Sequence, residues 1–156
     1  ELTQWKILNG KGTISKFKSR NTYNQSALKL ETSTENEMLA MGTIPSTVKV
    51  SKPSIAVLVW TVKMKYNELI NQPALVVELS TPKGPQFVRV NMGRINSGMN
   101  TYLSVGGSSP NWFLRSSIGI IPPGSHSFSI WLKCNKGQTV VYDGFRVFLV
   151  ELADKK

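Results

Sequence analysis

The sequence predicts an all-β domain, an antiparallel β-sandwich of the jelly-roll kind with about eight to ten strands. Three observations predict it. Short blocks of β-branched and aromatic residues recur along the chain, separated by Gly, Pro, Asn and Ser. Segments with helical periodicity are scarce. Two blocks are apolar at successive positions, which suits strands buried on both faces rather than one. The chain has 156 residues, 40% apolar and 18% charged, which fits one globular domain with a proper core.

The elements follow in order. Trp5 and Ile7 alternate with Gln4 and Lys6, and residues 13–18 and 27–31 are short mixed strands. We expect residues 1–25 to form an N-terminal arm or first strand packed on a jelly-roll domain spanning 26–156. Glu35-Asn-Glu-Met-Leu-Ala-Met41 is the best helix candidate, rich in helix formers but barely two turns long before Gly42. Residues 49–66 hold a long strand broken near its start by Pro53. Its segment Ile55-Ala-Val-Leu-Val-Trp-Thr-Val62 is apolar throughout, whereas Lys63 and Lys65 then alternate with Met64 and Tyr66.

Residues 74–79 form the next strand, and Thr81-Pro-Lys-Gly-Pro85 is a strong turn. Residues 86–92 alternate, with Val88, Val90 and Met92 against Phe87, Arg89 and Asn91. Residues 96–112 read as loop, residues 112–121 re-enter the sheet, and Pro122-Pro-Gly124 turns it. His126, Phe128, Ile130, Leu132 and Cys134 then make one stripe opposite Ser125, Ser127, Ser129, Trp131 and Lys133. Asn135-Lys-Gly-Gln138 is a hairpin turn, and residues 145–152 close the chain with apolar residues on both faces. In a sandwich each strand buries one face and wets the other. Residues 55–62 and 145–152 depart from that pattern, so either the N-terminal segment covers them or another copy of the chain does. Self-association is the expectation.

The net charge is +10. Residues 1–52 hold eight basic and four acidic residues, and residues 53–156 hold eleven and five. The excess is spread along the chain, so a dedicated nucleic-acid groove is not expected. Attraction to an anionic surface explains the same charge. No apolar run approaches the roughly 20 residues of a membrane-spanning helix, and Glu1-Leu-Thr-Gln-Trp5 is no signal peptide. The absent initiator Met suggests a trimmed or processed chain. Cys134 is the single cysteine and is expected as a small buried hydrophobe.

No catalytic apparatus is legible. His126 is the lone histidine, expected as a hydrogen-bonded structural residue, so no His-rich metal site or triad is available. The acids lack a paired pattern except Glu35 and Glu37 in a polar turn. Gly106-Gly107 and Gly10-Lys-Gly12 lack a phosphate-binding context. No enzyme activity, cofactor or metal is therefore expected. For ligand binding the informative segment is 96–112. Asn100, Tyr102, Asn111 and Trp112, with Arg115 just beyond, set aromatic faces beside amide side chains, the combination that carbohydrate recognition uses. The competing reading places Trp112 in the core and makes the rest ordinary turn chemistry.

Two blocks carry a resemblance. Ile121-Pro-Pro-Gly-Ser-His-Ser-Phe-Ser-Ile-Trp-Leu-Lys133 and Phe145-Arg-Val-Phe-Leu-Val-Glu-Leu152 resemble the C1q/TNF-like jelly rolls found in phage tail-fibre, baseplate and other virion surface proteins. With the strand at 55–66, the resemblance runs from about residue 26 to residue 152. The segment 96–112 matches nothing in it. The resemblance implies a homotrimer whose last strand lines the three-fold axis. Arg146, Phe148, Val150 and Leu152 would then face neighbouring subunits, with Phe145, Val147 and Leu149 in the core. Arg146 would pair with an acid such as Glu151 or Glu78 of another chain. The function implied is a non-enzymatic receptor-binding or adhesion module of a phage tail or baseplate, for which the 96–112 segment suggests host cell-surface polysaccharide as a candidate ligand. The alternative is a structural capsid decoration or spike protein that cements the particle. Either places the protein on the virion surface after synthesis in the host cytoplasm, among other virion proteins and without membrane insertion.

Overall fold

The computed structural model describes residues 4–18, 26–44, 47–63, 70–90, 93–94, 103–104 and 112–152. These fold into thirteen strand segments and no helix. They are β1 (Trp5–Gly10), β2 (Thr13–Lys18), β3 (Ser26–Glu31), β4 (Met38–Thr43), β5 (Val48–Val50), β6 (Ser54–Lys63) and β7 (Ala74–Thr81). The rest are β8 (Gly84–Arg89), β9 (Gly93–Arg94), β10 (Leu103–Ser104), β11 (Trp112–Ile121), β12 (Gly124–Cys134) and β13 (Thr139–Glu151).

Two sheets result. The first runs β1-β4-β12-β7-β8, with β5 paired to the start of β12. The second runs β10-β11-β6-β13-β3-β2, with β9 also on β11. Every pairing is antiparallel. The pairs β3·β13, β4·β12, β6·β11 and β7·β8 nest inside one another along the chain. That nesting, a long hairpin wound on itself, is jelly-roll connectivity. The expected strand count is exceeded because β5, β9 and β10 are two- or three-residue ladders.

The best helix candidate does not form a helix. Residues 35–41 are not helical: Thr34 and Glu35 form a turn, and Met38 begins β4. The segment is too short to sustain a helix alone, and Met38, Ala40 and Gly42 face inward with period two, which only a strand supplies. The N-terminal residues also settle differently from a cover. β1 extends the first sheet beside β4 and β2 extends the second beside β3, so both lie in the planes of the sheets.

The core lies between the sheets. Ala56, Leu58, Trp60 and Val62 of β6 face Phe128, Ile130, Leu132 and Cys134 of β12, and Leu30, Leu75, Val140 and Tyr142 complete it. Along β13 the inward parity changes. Val140 and Tyr142 point to the core, then the register slips by one residue between Asp143 and Arg146. Gly144 sits in this bulge at φ +64°, a left-handed conformation that favours glycine. After the slip, Phe145, Val147 and Leu149 pack against the core, and Arg146, Phe148 and Val150 turn outward.

Candidate functional site

The outer face of the second sheet is the most unusual surface described. Alternation along β6 turns Ile55, Val57 and Val59 outward, because Ala56, Leu58 and Trp60 are buried inward. On either side the register supplies more apolar partners. Ile55 stands between Ile120 of β11 and Val150 of β13, and Val57 stands between Ile118 and Phe148. The third row, Ser116–Val59–Arg146, ends the apolar zone with a hydroxyl and a charge. Ile120 is 68% exposed, Val150 54%, Phe148 51% and Leu152 39%. An aliphatic and aromatic patch across three adjacent strands is larger than the scattered single apolar residues ordinary on a protein surface. At the other end of this face Ala27 and Val141 are buried, so the open part is the end that carries Ile120 and Val150.

Beside this patch the sandwich opens. Among the described residues β3 accompanies β13 only over 139–142, so 146–151 has β6 as its sole strand neighbour. A cleft of about 320 Å³ enters there between the sheets, lined by Ile44, Val48, Phe128, Phe145 and Leu149, with Arg146 and Phe148 at its rim.

The sequence-derived interface residues Arg146, Phe148, Val150 and Leu152 are all exposed, at one end of the second sheet. Glu78, one suggested partner for Arg146, lies on the outer face of the other sheet. An interface built on the second sheet alone would not reach it. Glu151 accepts a hydrogen bond from Ser51 Oγ at 3.0 Å. Asn100, Tyr102 and Asn111 lie outside the described residues. Residue 112 pairs with Lys63, and Arg115 pairs with Trp60, along the β11·β6 ladder.

His126 is buried, with Nε2 2.8 Å from the Pro122 carbonyl and its ring edge-on to Phe128. Its Nε2 proton is donated to that carbonyl, a structural bond that closes the Pro-Pro-Gly turn. Cys134 is buried at the end of the same stripe. Burial pushes its thiol above the ordinary range, against a lowering hydrogen bond from Thr32, and the Glu31 charge raises it further. Among the described residues no three His, Cys, Asp or Glu side chains are grouped to hold a metal ion.

Sequence reasoning missed a second surface. On the outer face of the first sheet, Trp131 of β12 and Phe87 of β8 flank β7. Their ring centroids are 5.8 Å apart and their planes are inclined at 51°. The alternation of 86–92 and the serine-rich stripe opposite His126 both carried the signal, but only the β8-β7-β12 order brings the two rings together.

No protein-family model matches the chain, and no curated protein matches it in sequence. Among solved structures it is similar to the CBM22-1 xylan-binding domain of Xyn10C from Paenibacillus barcinonensis. The TM-score is 0.47 with 15% identity, over 96% of this chain and 87% of that one. It is also similar to an exo-β-agarase, with a TM-score of 0.38 and 13% identity, over 92% of this chain and 23% of that one.

Proposed function

We propose that this chain is a non-catalytic recognition module of a virus surface, self-associated as a homotrimer through the outer face of its second sheet. The observation that carries the reading is the row structure Ile120–Ile55–Val150 and Ile118–Val57–Phe148. Fully burying one side chain of this kind is worth about 1.5–3 kcal/mol, and no described residue of the same chain covers the exposed ones. Arg146 at the edge of the patch supplies a charge that fixes orientation between copies. The phage-tail setting and the trimer stoichiometry are supported by the resemblance at residues 121–133 and 145–152. Saccharide as the ligand is supported by the aromatic and amide content of residues 96–112.

Sedimentation or light scattering tests the assembly. A mass about three times the 17.3 kDa of one chain is expected, falling to one chain in Phe148→Asp/Ile120→Asp with the far-UV circular dichroism unchanged. A wild-type chain that stays monomeric at tens of micromolar overturns the assembly. Binding to virus particles without affinity for any saccharide would replace recognition by a cementing role.

A further inference from the structure

We propose that the outer face of the first sheet, centred on Phe87 and Trp131, is a binding platform for a pyranose unit of a neutral polysaccharide. The proposal rests on the recognition half of the reading above. It moves the site from residues 96–112 to the opposite sheet.

The register defines the platform. Glu78 of β7 stands between Ser127 of β12 and Phe87 of β8. The next row is Thr43–Ser129–Val76–Arg89, and the one after it holds Met41, Trp131 and Ala74. The two rings lean toward each other across β7, and Val76, on the row between theirs, is buried. Trp131 is held in place, because its Nε1 proton is donated to Ser129 Oγ at 3.1 Å. Phe87 stays 47% exposed, although an ordinary edge strand gains nothing from presenting a large apolar ring to water.

The surroundings select the occupant. The apolar face of the second sheet is aliphatic except for Phe148 over two rows and has no polar group within them, which suits protein. Here the rings are bordered by the Glu78 carboxylate, the Arg89 guanidinium and the hydroxyls of Ser127 and Thr43, and both charged side chains reach solvent. A pyranose presents an apolar C–H face to an aromatic ring and a rim of hydroxyls that both donate and accept. A carboxylate accepting and a guanidinium donating at that rim match it. An anionic sugar would meet Glu78, and an apolar helix would strand both charges. β8 is the outermost strand of its sheet among the described residues, so a polymer can run off the platform without meeting another strand.

Affinity electrophoresis of the full chain through gels holding β-glucan, galactomannan, dextran or polygalacturonate tests this. At least one neutral polymer should retard the protein, with little change in about 0.5 M salt. Phe87→Ala and Trp131→Ala should each weaken retardation about tenfold or more, and Trp131→Phe less. Phe87→Ala alters an exposed ring, so its loss of binding is read at unchanged circular dichroism even where Trp131→Ala unfolds. Retention of binding in Phe87→Ala overturns the proposal, as does retardation by polygalacturonate alone that salt abolishes. Loss only in Tyr102→Ala/Trp112→Ala returns the site to residues 96–112 and leaves saccharide recognition standing. Retardation by none of the polymers overturns both the platform and saccharide recognition, while the trimer is judged separately by mass.

Discussion

Phe148 stands directly opposite Val57 on the water-facing side of the second sheet, and without the one-residue slip in β13 its side chain would point into the core. The slip is fixed by the bulge at 143–146, so the bulge decides which residues of the last strand are offered outward. The neighbouring positions Leu58 and Val147 pair on the core side. One ladder thus carries a packed face and an exposed apolar one.

Substitutions at adjacent residues of β6 should therefore have separable effects. Leu58→Ala should cost about 2–5 kcal/mol of folding stability, measured by urea denaturation, because it empties a core position. Val57→Lys should leave the folded protomer intact and reduce the associated mass by sedimentation. Equal destabilisation by both would show that the outer face is packed within one chain.

Gly144→Ala tests the bulge. Space is not limiting, since the nearest atom to an added Cβ is Thr61 Oγ1 at 3.9 Å. The φ of +64° is the obstacle, and a loss of about 1–2 kcal/mol is expected. Gly144→Asn should lose less, because Asn tolerates this region. A shift in the β13 register would appear as lower associated mass.

Gly42 and Trp5 are coupled. A Cβ at residue 42 would lie 2.8 Å from the Trp5 indole, which also packs at 5.5 Å against Phe145. Gly42→Ala should cost about 1–3 kcal/mol and shift tryptophan emission to the red. In the Trp5→Leu background the same change should cost less, and a double-mutant cycle measures the difference.

Stability should fall at alkaline pH. Burial pushes Tyr142 well above the ordinary tyrosine range, with a smaller contribution from Cys134, whose thiol is also raised. Both groups keep their protons in the folded chain after the unfolded chain has lost them. Their stabilisation is complete below the unfolded values, about 8.5 for Cys and about 10 for Tyr. It declines as pH rises through the folded values. Above about pH 10 the Tyr142 contribution to the slope is about 1.4 kcal/mol per pH unit. Tyr142→Phe should flatten the curve there, at a cost near neutrality of about 1 kcal/mol for the lost bond to the Asn71 carbonyl. Iodoacetamide should label Cys134 at the rate of unfolding.

The two surfaces differ in how far the sequence discloses them. Residues 55–62 and 145–152 are apolar at consecutive positions, and strand alternation alone requires that one set face away from the core. Which residues of the last strand face outward was implied only by the resemblance at 121–133 and 145–152, because both faces of that strand are apolar. The platform is different. Phe87 and Trp131 are far apart in the chain, and each looks like an isolated aromatic on a polar stripe. Their meeting depends on β7 pairing with β12 on one side and β8 on the other.

The sequence by itself determined the all-β class, the strand positions over 74–79 and 112–134, the inward stripe from His126 to Cys134, and an excess of apolar surface. Those features are local, set by side-chain period and turn chemistry over a few residues. Tertiary structure decided the rest. It made residues 38–43 a strand where local propensity suggested a helix, because an inward face of period two had to meet β12. It laid β1 and β2 along the sheet edges instead of over the apolar face. It placed a one-residue bulge in β13 and brought Phe87 beside Trp131. Each depends on which strand becomes whose neighbour, a choice made by the nested pairing of distant segments that no local pattern encodes.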